Sequence, residues 1–103
     1  MKLLVFLAKG FETIEFSAFI DVMGWAKTDF DCKIDVVTCG LNRKVISSFN
    51  VPVLVDKVID EVSADDYDAL AIPGGFEEFG FYEEAYNEQL LELIRLFDSQ
   101  VTT

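Results

Sequence analysis

The feature that most constrains this chain is its opening, where Leu3-Leu4-Val5-Phe6-Leu7-Ala8 runs without a polar residue until Lys9-Gly10. A strand with one face in water alternates apolar and polar residues, whereas an unbroken short run suits a strand covered on both faces, as in a parallel sheet. The run is also too short for a signal-peptide core or a membrane span.

Behind it the period changes. Residues 13–27 carry Ile14, Ala18, Phe19, Val22, Met23 and Ala26 at helical spacing, with Glu12 and Glu15 near the positive end of the helix dipole. Ile34 to Cys39, closed by Gly40, reads as a second strand, and a strand-helix-strand unit of this length implies a right-handed parallel crossover. Within 44–59, the β-prone pieces Lys44–Ser47 and Val51–Val55, with Asn50 and Pro52 as turn signals, predict a small antiparallel excursion at the sheet margin. Asp65-Asp66-Tyr67-Asp68 leads into Ala69–Ile72, a short buried strand that ends at Pro73-Gly74-Gly75. Leu90, Leu91, Leu93, Ile94 and Phe97 predict an amphipathic helix from about Asn87 to Asp98. The sum is an α/β chain with a doubly wound, mainly parallel sheet.

In such a sheet the ligand crevice forms where the strand order reverses, outside the carboxyl ends of the flanking strands. With strand 34–39 on one side of strand 3–8 and strand 69–72 on the other, the reversal brings Lys9-Gly10-Phe11-Glu12 next to Pro73-Gly74-Gly75. Glu15 then sits one helical turn above both.

Length and charge narrow the setting. A chain of 103 residues is one domain, and at this size only about 60–65% of the unfolded surface is buried, so its independent stability is marginal. The formal charge is −11. Residues 1–50 balance six acids against six bases, but residues 51–103 hold thirteen acids against Lys57 and Arg95. That field repels phosphate backbones and anionic headgroups, which argues against nucleic-acid and membrane partners; the shortness of the opening apolar run is what predicts a soluble, cytoplasmic protein. The two cysteines, Cys32 and Cys39, lie roughly 23 Å apart if the stretch is a strand, too far for a disulfide. With no histidine, a cysteine/histidine zinc site within the chain is excluded.

Several residues carry chemistry. Glu15 has apolar neighbours, Ile14 and Phe16, beside the inferred crevice; desolvation there favours a protonated carboxyl that donates a hydrogen bond, although a first-turn glutamate also serves simply as a dipole partner. Gly74-Gly75 either ends a strand with an ordinary turn or aims N–H groups into the crevice as an oxyanion hole requires. No GxGxxG or GxxxxGK[ST] pattern surrounds the pair, so no nucleotide or flavin cofactor is implied. Phe76, Phe79, Phe81, Tyr82 and Tyr86 alternate with Glu77, Glu78, Glu83 and Glu84. They suit packing on the domain's own core, a pocket wall or a subunit contact. Neither cysteine sits on a strand-to-helix elbow with a neighbouring base, so both read as structural.

The segments Leu4–Glu15 (LVFLAKGFETIE), Ile20-Asp21-Val22, Asp66–Leu70 (DYDAL) and Ile72-Pro73-Gly74-Gly75 resemble the ThiJ/PfpI family from residue 1 to about residue 100, roughly the first half of a member. The continuation Phe76-Glu77-Glu78-Phe79-Gly80 is similar to the subgroup linked with thiazole monophosphate biosynthesis. The resemblance implies a flavodoxin-like fold and a homodimer. It implies Glu15 as the protonated glutamate that hydrogen-bonds a nucleophilic cysteine, and Gly75, with Gly74 beside it, as the oxyanion-hole glycine. In that family the nucleophile follows a further strand after a helix like 87–98, and neither cysteine here occupies that elbow; the closing Val101-Thr102-Thr103 faintly resembles a segment well beyond it. Residues 1–103 are therefore expected to be the N-terminal part of a single domain, incomplete on the nucleophile side. The intact form would act on small carbonyl or acyl substrates through a thiolate, in the manner of a deglycase, glyoxalase or amidase. This chain would be inactive alone, and stable only with the rest of its domain, supplied by another chain or by sequence beyond these residues; the expected partners are a second copy in a homodimer or a complementing chain that supplies that rest. The alternative is a non-catalytic binding or dimerisation module of the same fold.

Overall fold

The structure, a computed structural model, describes residues 1–30 and 32–100. Among these residues, six strands and three helices follow one another as β1 (Lys2–Phe6), α1 (Thr13–Asp29), β2 (Asp35–Gly40), β3 (Lys44–Ile46), β4 (Pro52–Leu54), β5 (Lys57–Val58), β6 (Ala69–Ala71), α2 (Phe81–Ala85) and α3 (Glu88–Gln100). Single 3-10 turns stand at Ile59–Glu61, Ala64–Asp66 and Glu77–Phe79. The main sheet is parallel throughout, in the order β5-β2-β1-β6, and β3 pairs with β4 in a separate antiparallel ribbon. The fold is thus the α/β, flavodoxin-like one expected, with β2 and β6 on opposite sides of β1. The closing Val101–Thr103, matched above to a more distant family segment, lie outside the described residues.

The apolar opening has the cause its pattern suggests. Side chains of a strand alternate between faces. Leu4 and Phe6 enter one core with Cys39, Tyr67, Leu90, Leu93 and Phe97, while Val5 and Leu7 enter another with Phe11, Val45 and Val55. Helix α3 seals the first face. The Asn87 side-chain oxygen accepts the N–H of Gln89 at 2.8 Å and of Leu90 at 3.2 Å, capping the helix start. Burying Leu90, Leu93 and Phe97 contributes about 1.5–3 kcal/mol each.

Three departures from the sequence reading have local reasons. The antiparallel excursion ends at Leu54, and Lys57–Val58 return as the parallel edge strand β5. Asp56 enforces this return: its carboxylate accepts the Thr38 N–H at 3.0 Å, and its own N–H donates to the Thr38 hydroxyl at 2.9 Å. In α1 the residues turned to the sheet are Phe16 and Phe19, whereas Ile14, Ala18 and Val22 are exposed, because the periodic set read from the sequence mixes two sides of a helix that is apolar on both. Helix α2 was not anticipated; it is a single turn and a half held by packing of Phe81 rather than by any periodic stripe.

Candidate functional site

The carboxyl ends of β1 and β6 carry the two loops that meet. After β1 the chain runs through the buried residues Leu7 and Ala8 to Gly10, whose φ of +75° places it in the left-handed region that glycine alone adopts without strain. A side chain there would also meet the Phe79 carbonyl at 2.7 Å. After β6, Pro73-Gly74-Gly75 run alongside. The Glu12 N–H donates to the Gly74 carbonyl at 2.6 Å and the Phe76 N–H to the Gly10 carbonyl at 3.4 Å, so Phe11 faces Gly75 in a local antiparallel bridge. The expected adjacency of turn 9–12 and the glycine pair is therefore present, at one rim of a parallel sheet.

Gly75 is needed for close approach and not for an unusual φ, since only Gly10 and Gly80 among the glycines have positive φ. A Cβ on Gly75 would lie inside contact distance of the Phe81 ring and 2.6 Å from the Gly10 carbonyl oxygen. The two loops touch where that side chain would stand. Gly74 is different: a Cβ there would lie 3.3 Å from Glu15 Oε2 and 3.6 Å from Oε1, so the carboxylate hangs over the bare Cα. Among the described residues, no protein acceptor meets the N–H of Gly74 or Gly75.

Glu15 stands in the first turn of α1 and is exposed. The desolvation expected from its apolar neighbours is absent, because Ile14 points outward at 71% exposure and Phe16 turns to the sheet. Its position is fixed from below. The Thr13 hydroxyl donates to Ser47 Oγ at 2.7 Å and lies 3.4 Å from Ser48 Oγ, both serines being buried at the tip of the β3-β4 ribbon. The Ser48 N–H donates to the Phe11 carbonyl at 2.9 Å, and the Gly10 N–H to the Ile46 carbonyl at 2.8 Å. Ribbon, turn and helix start are one hydrogen-bonded unit. Sequence reasoning missed this seryl pair, since Ser47-Ser48 before Phe49-Asn50 looks like any turn. The Lys9 N–H donates to Glu84 Oε1 at 2.8 Å, and Lys9 Nζ pairs with Glu83 at 3.2 Å on the surface.

The aromatic segment divides. Phe81 packs on the core, while Phe79 meets Phe49 at a tilt and Phe76 edge-on, at ring separations of 5.3 and 6.2 Å, forming one wall at the rim. Tyr82 and Tyr86 stand together and outside, 5.5 Å apart and 52% and 66% exposed. Neither cysteine joins the site. Cys39 is enclosed in the sheet core, where burial pushes its thiol up to about 12, and Cys32 is exposed and unpaired. No helix among the described residues is long and apolar enough to cross a membrane.

A parallel sheet with a reversed strand order, a glycine pair at the switch point and a first-turn glutamate above it define a flavodoxin-like domain with an acid-and-amide rim. Residues 1–100 match the DJ-1/PfpI family, and the chain belongs to it. It is 31% identical over 94 residues to Protein DJ-1 homolog B of Arabidopsis thaliana, an alignment covering 91% of this chain and 20% of that protein. It superposes on Drosophila melanogaster DJ-1beta with a TM-score of 0.78 at 31% identity, covering 95% of this chain and 50% of that one. Toxoplasma gondii DJ-1, in an oxidized form, gives a TM-score of 0.75 at 28% identity over 96% of this chain and 50% of that one. The chain thus spans about half the length of these solved relatives and a fifth of the curated one.

Proposed function

We propose that this chain forms the acid-and-amide half of a cysteine-dependent site acting on small carbonyl or acyl substrates. The observation that carries the reading is the pairing at the rim. Glu15 lies over Gly74, and the Gly74 and Gly75 amides beside it are free to donate. In the assembled domain Glu15 holds a hydrogen bond to the nucleophilic thiol, and the two amides stabilise negative charge as it develops on the substrate oxygen. Cys39 is too deeply enclosed to act and Cys32 has no part in the rim, so the thiolate is assigned to polypeptide outside residues 1–103. The proposed setting is a homodimer in the cytoplasm, where unpaired thiols persist.

Methylglyoxal is the test substrate. Residues 1–103 alone should turn it over no faster than a Glu15→Gln variant, and turnover above that control would sink the assignment of the thiolate elsewhere. The exposure of Phe76, Tyr82 and Tyr86 supports a second reading, a non-catalytic interaction module using 76–86 as its contact. Substituting Phe79 and Tyr82 separates them: lost self-association with an intact crevice favours the module, and the converse favours the enzyme.

A further inference from the structure

The segment after the glycine pair turns two rings to solvent and holds them there. In α2 Phe81 faces the core, so Tyr82 and Tyr86, one helical turn apart, fall on the outer side. Their edge-to-face contact keeps each ring in one orientation. Glu77 Oε2 secures the start of the turn by accepting the Tyr82 N–H at 3.1 Å. Side chains ordered before a partner arrives lose little freedom when it does.

Charge says what this shelf accepts. Residues 76–88 hold five glutamates and no base. Glu77, Glu78 and Glu83 border a recess of about 360 Å³ together with Phe79 and Lys9, whose ammonium pairs with Glu83 at 3.2 Å. Three carboxylates against one ammonium leave the recess negative. Among the described residues, the carboxylates of Glu78 and Glu88 make no hydrogen bond or ion pair. The faces of aromatic rings are themselves the negative part of a quadrupole, so rings and carboxylates select the same sign of charge. A guanidinium satisfies both, lying flat on a ring while its N–H fork reaches a carboxylate; an ammonium is a compact, strongly hydrated point charge without that fork. This chain has no basic excess to offer in return: residues 1–50 balance six acids with six bases, and residues 51–103 set thirteen acids against two bases. A second copy would bring carboxylates to carboxylates.

We propose that Tyr82 and Tyr86, with the recess beside them, dock an arginine-bearing segment of another protein, one guanidinium lying on the tyrosine pair and another entering among the glutamates. The assignment narrows the interaction reading given above to one partner chemistry, and rests on it only for the choice of 76–86 as a contact. It is independent of the thiolate.

The test is titration of the chain with two labelled peptides of equal length and charge, one alternating arginine with glycine and one alternating lysine with glycine, followed by fluorescence anisotropy and amide resonances. The arginine peptide should bind with shifts concentrated in residues 77–88, and the lysine peptide about threefold more weakly. Tyr82→Ala and Tyr86→Ala should each weaken the arginine peptide by about threefold and narrow its lead over lysine. Glu78→Gln combined with Glu88→Gln, exposed changes that leave both rings in place, should weaken the two peptides alike. Equal affinity for both peptides, an arginine preference that survives loss of both rings, or shifts centred elsewhere, as on the groove beside Trp25 in α1, would each overturn the proposal. Self-association through 76–86 with neither peptide bound would keep the interaction reading and overturn this partner. Arginine-peptide binding on the shelf by a chain that also turns over methylglyoxal would remove the non-catalytic reading and leave the docking assignment standing.

Discussion

Helix α3 seats Leu90, Leu93 and Phe97 in the core and gives its other side to Glu88, Gln89, Glu92 and Arg95. Helix α1 is longer, 17 residues against 13, yet it has no buried residue and shows Ile14, Val22 and Trp25 to solvent at 71%, 59% and 57%. The sheet accounts for only one side of α1, through Phe16 and Phe19. A helix apolar on two sides is suited to being covered on two, whereas α3 has one apolar side and one cover. The contrast teaches that amphipathicity shows how many surfaces a helix serves, and that a mixed stripe is itself information.

The comparison breaks first at α3. Leu90→Ala should cost about 2–5 kcal/mol, read by proteolysis in increasing urea, because a fully enclosed leucine leaves a cavity behind. A loss below ~1 kcal/mol would mean that α3 is as loosely held as α1. The next effect lies in the core that α3 covers. The Cys39 thiol, raised from 9.0 to about 12 by burial, stays neutral in the folded chain while the unfolded chain ionises. Its stabilising effect is complete below pH 9 and fades between 9 and 12 by roughly 1.4 kcal/mol per pH unit. Cys39→Ala should flatten that alkaline slope in the same assay, and an unchanged slope would contradict the enclosure.

Gly75→Ala tests the rim between the two helices. Its Cβ would press on Phe81 and the Gly10 carbonyl, for a cost of about 1–3 kcal/mol with displaced amide resonances in residues 9–12. Unshifted resonances there would show that the loops do not touch. Smallest is Trp25→Ala on α1, expected within ~0.5 kcal/mol in this chain; a larger loss would show that the stripe is already covered.

Much of this architecture was legible. The Leu3–Ala8 run announced a doubly covered strand because both faces of β1 are in fact enclosed, and the meeting of Gly10 with Gly75 followed from strand order alone. What escaped was set by partners distant in sequence. Lys57–Val58 become a strand because Asp56 finds Thr38, and Ser47-Ser48 matter because Thr13 lies above them. Glu15 was placed correctly over the glycines, but its exposure depends on which way Ile14 and Phe16 turn, and apolar neighbours in sequence do not fix that.

The three hydroxyls beneath the helix start have a mechanical consequence. Because the Thr13 hydroxyl reaches both Ser47 and Ser48 while the ribbon's backbone holds Gly10 and Phe11, the ribbon tip next to Phe49 and the helix turn that carries Glu15 share one set of anchors. The carboxylate's position over Gly74 is therefore set by the ribbon as well as by the helix.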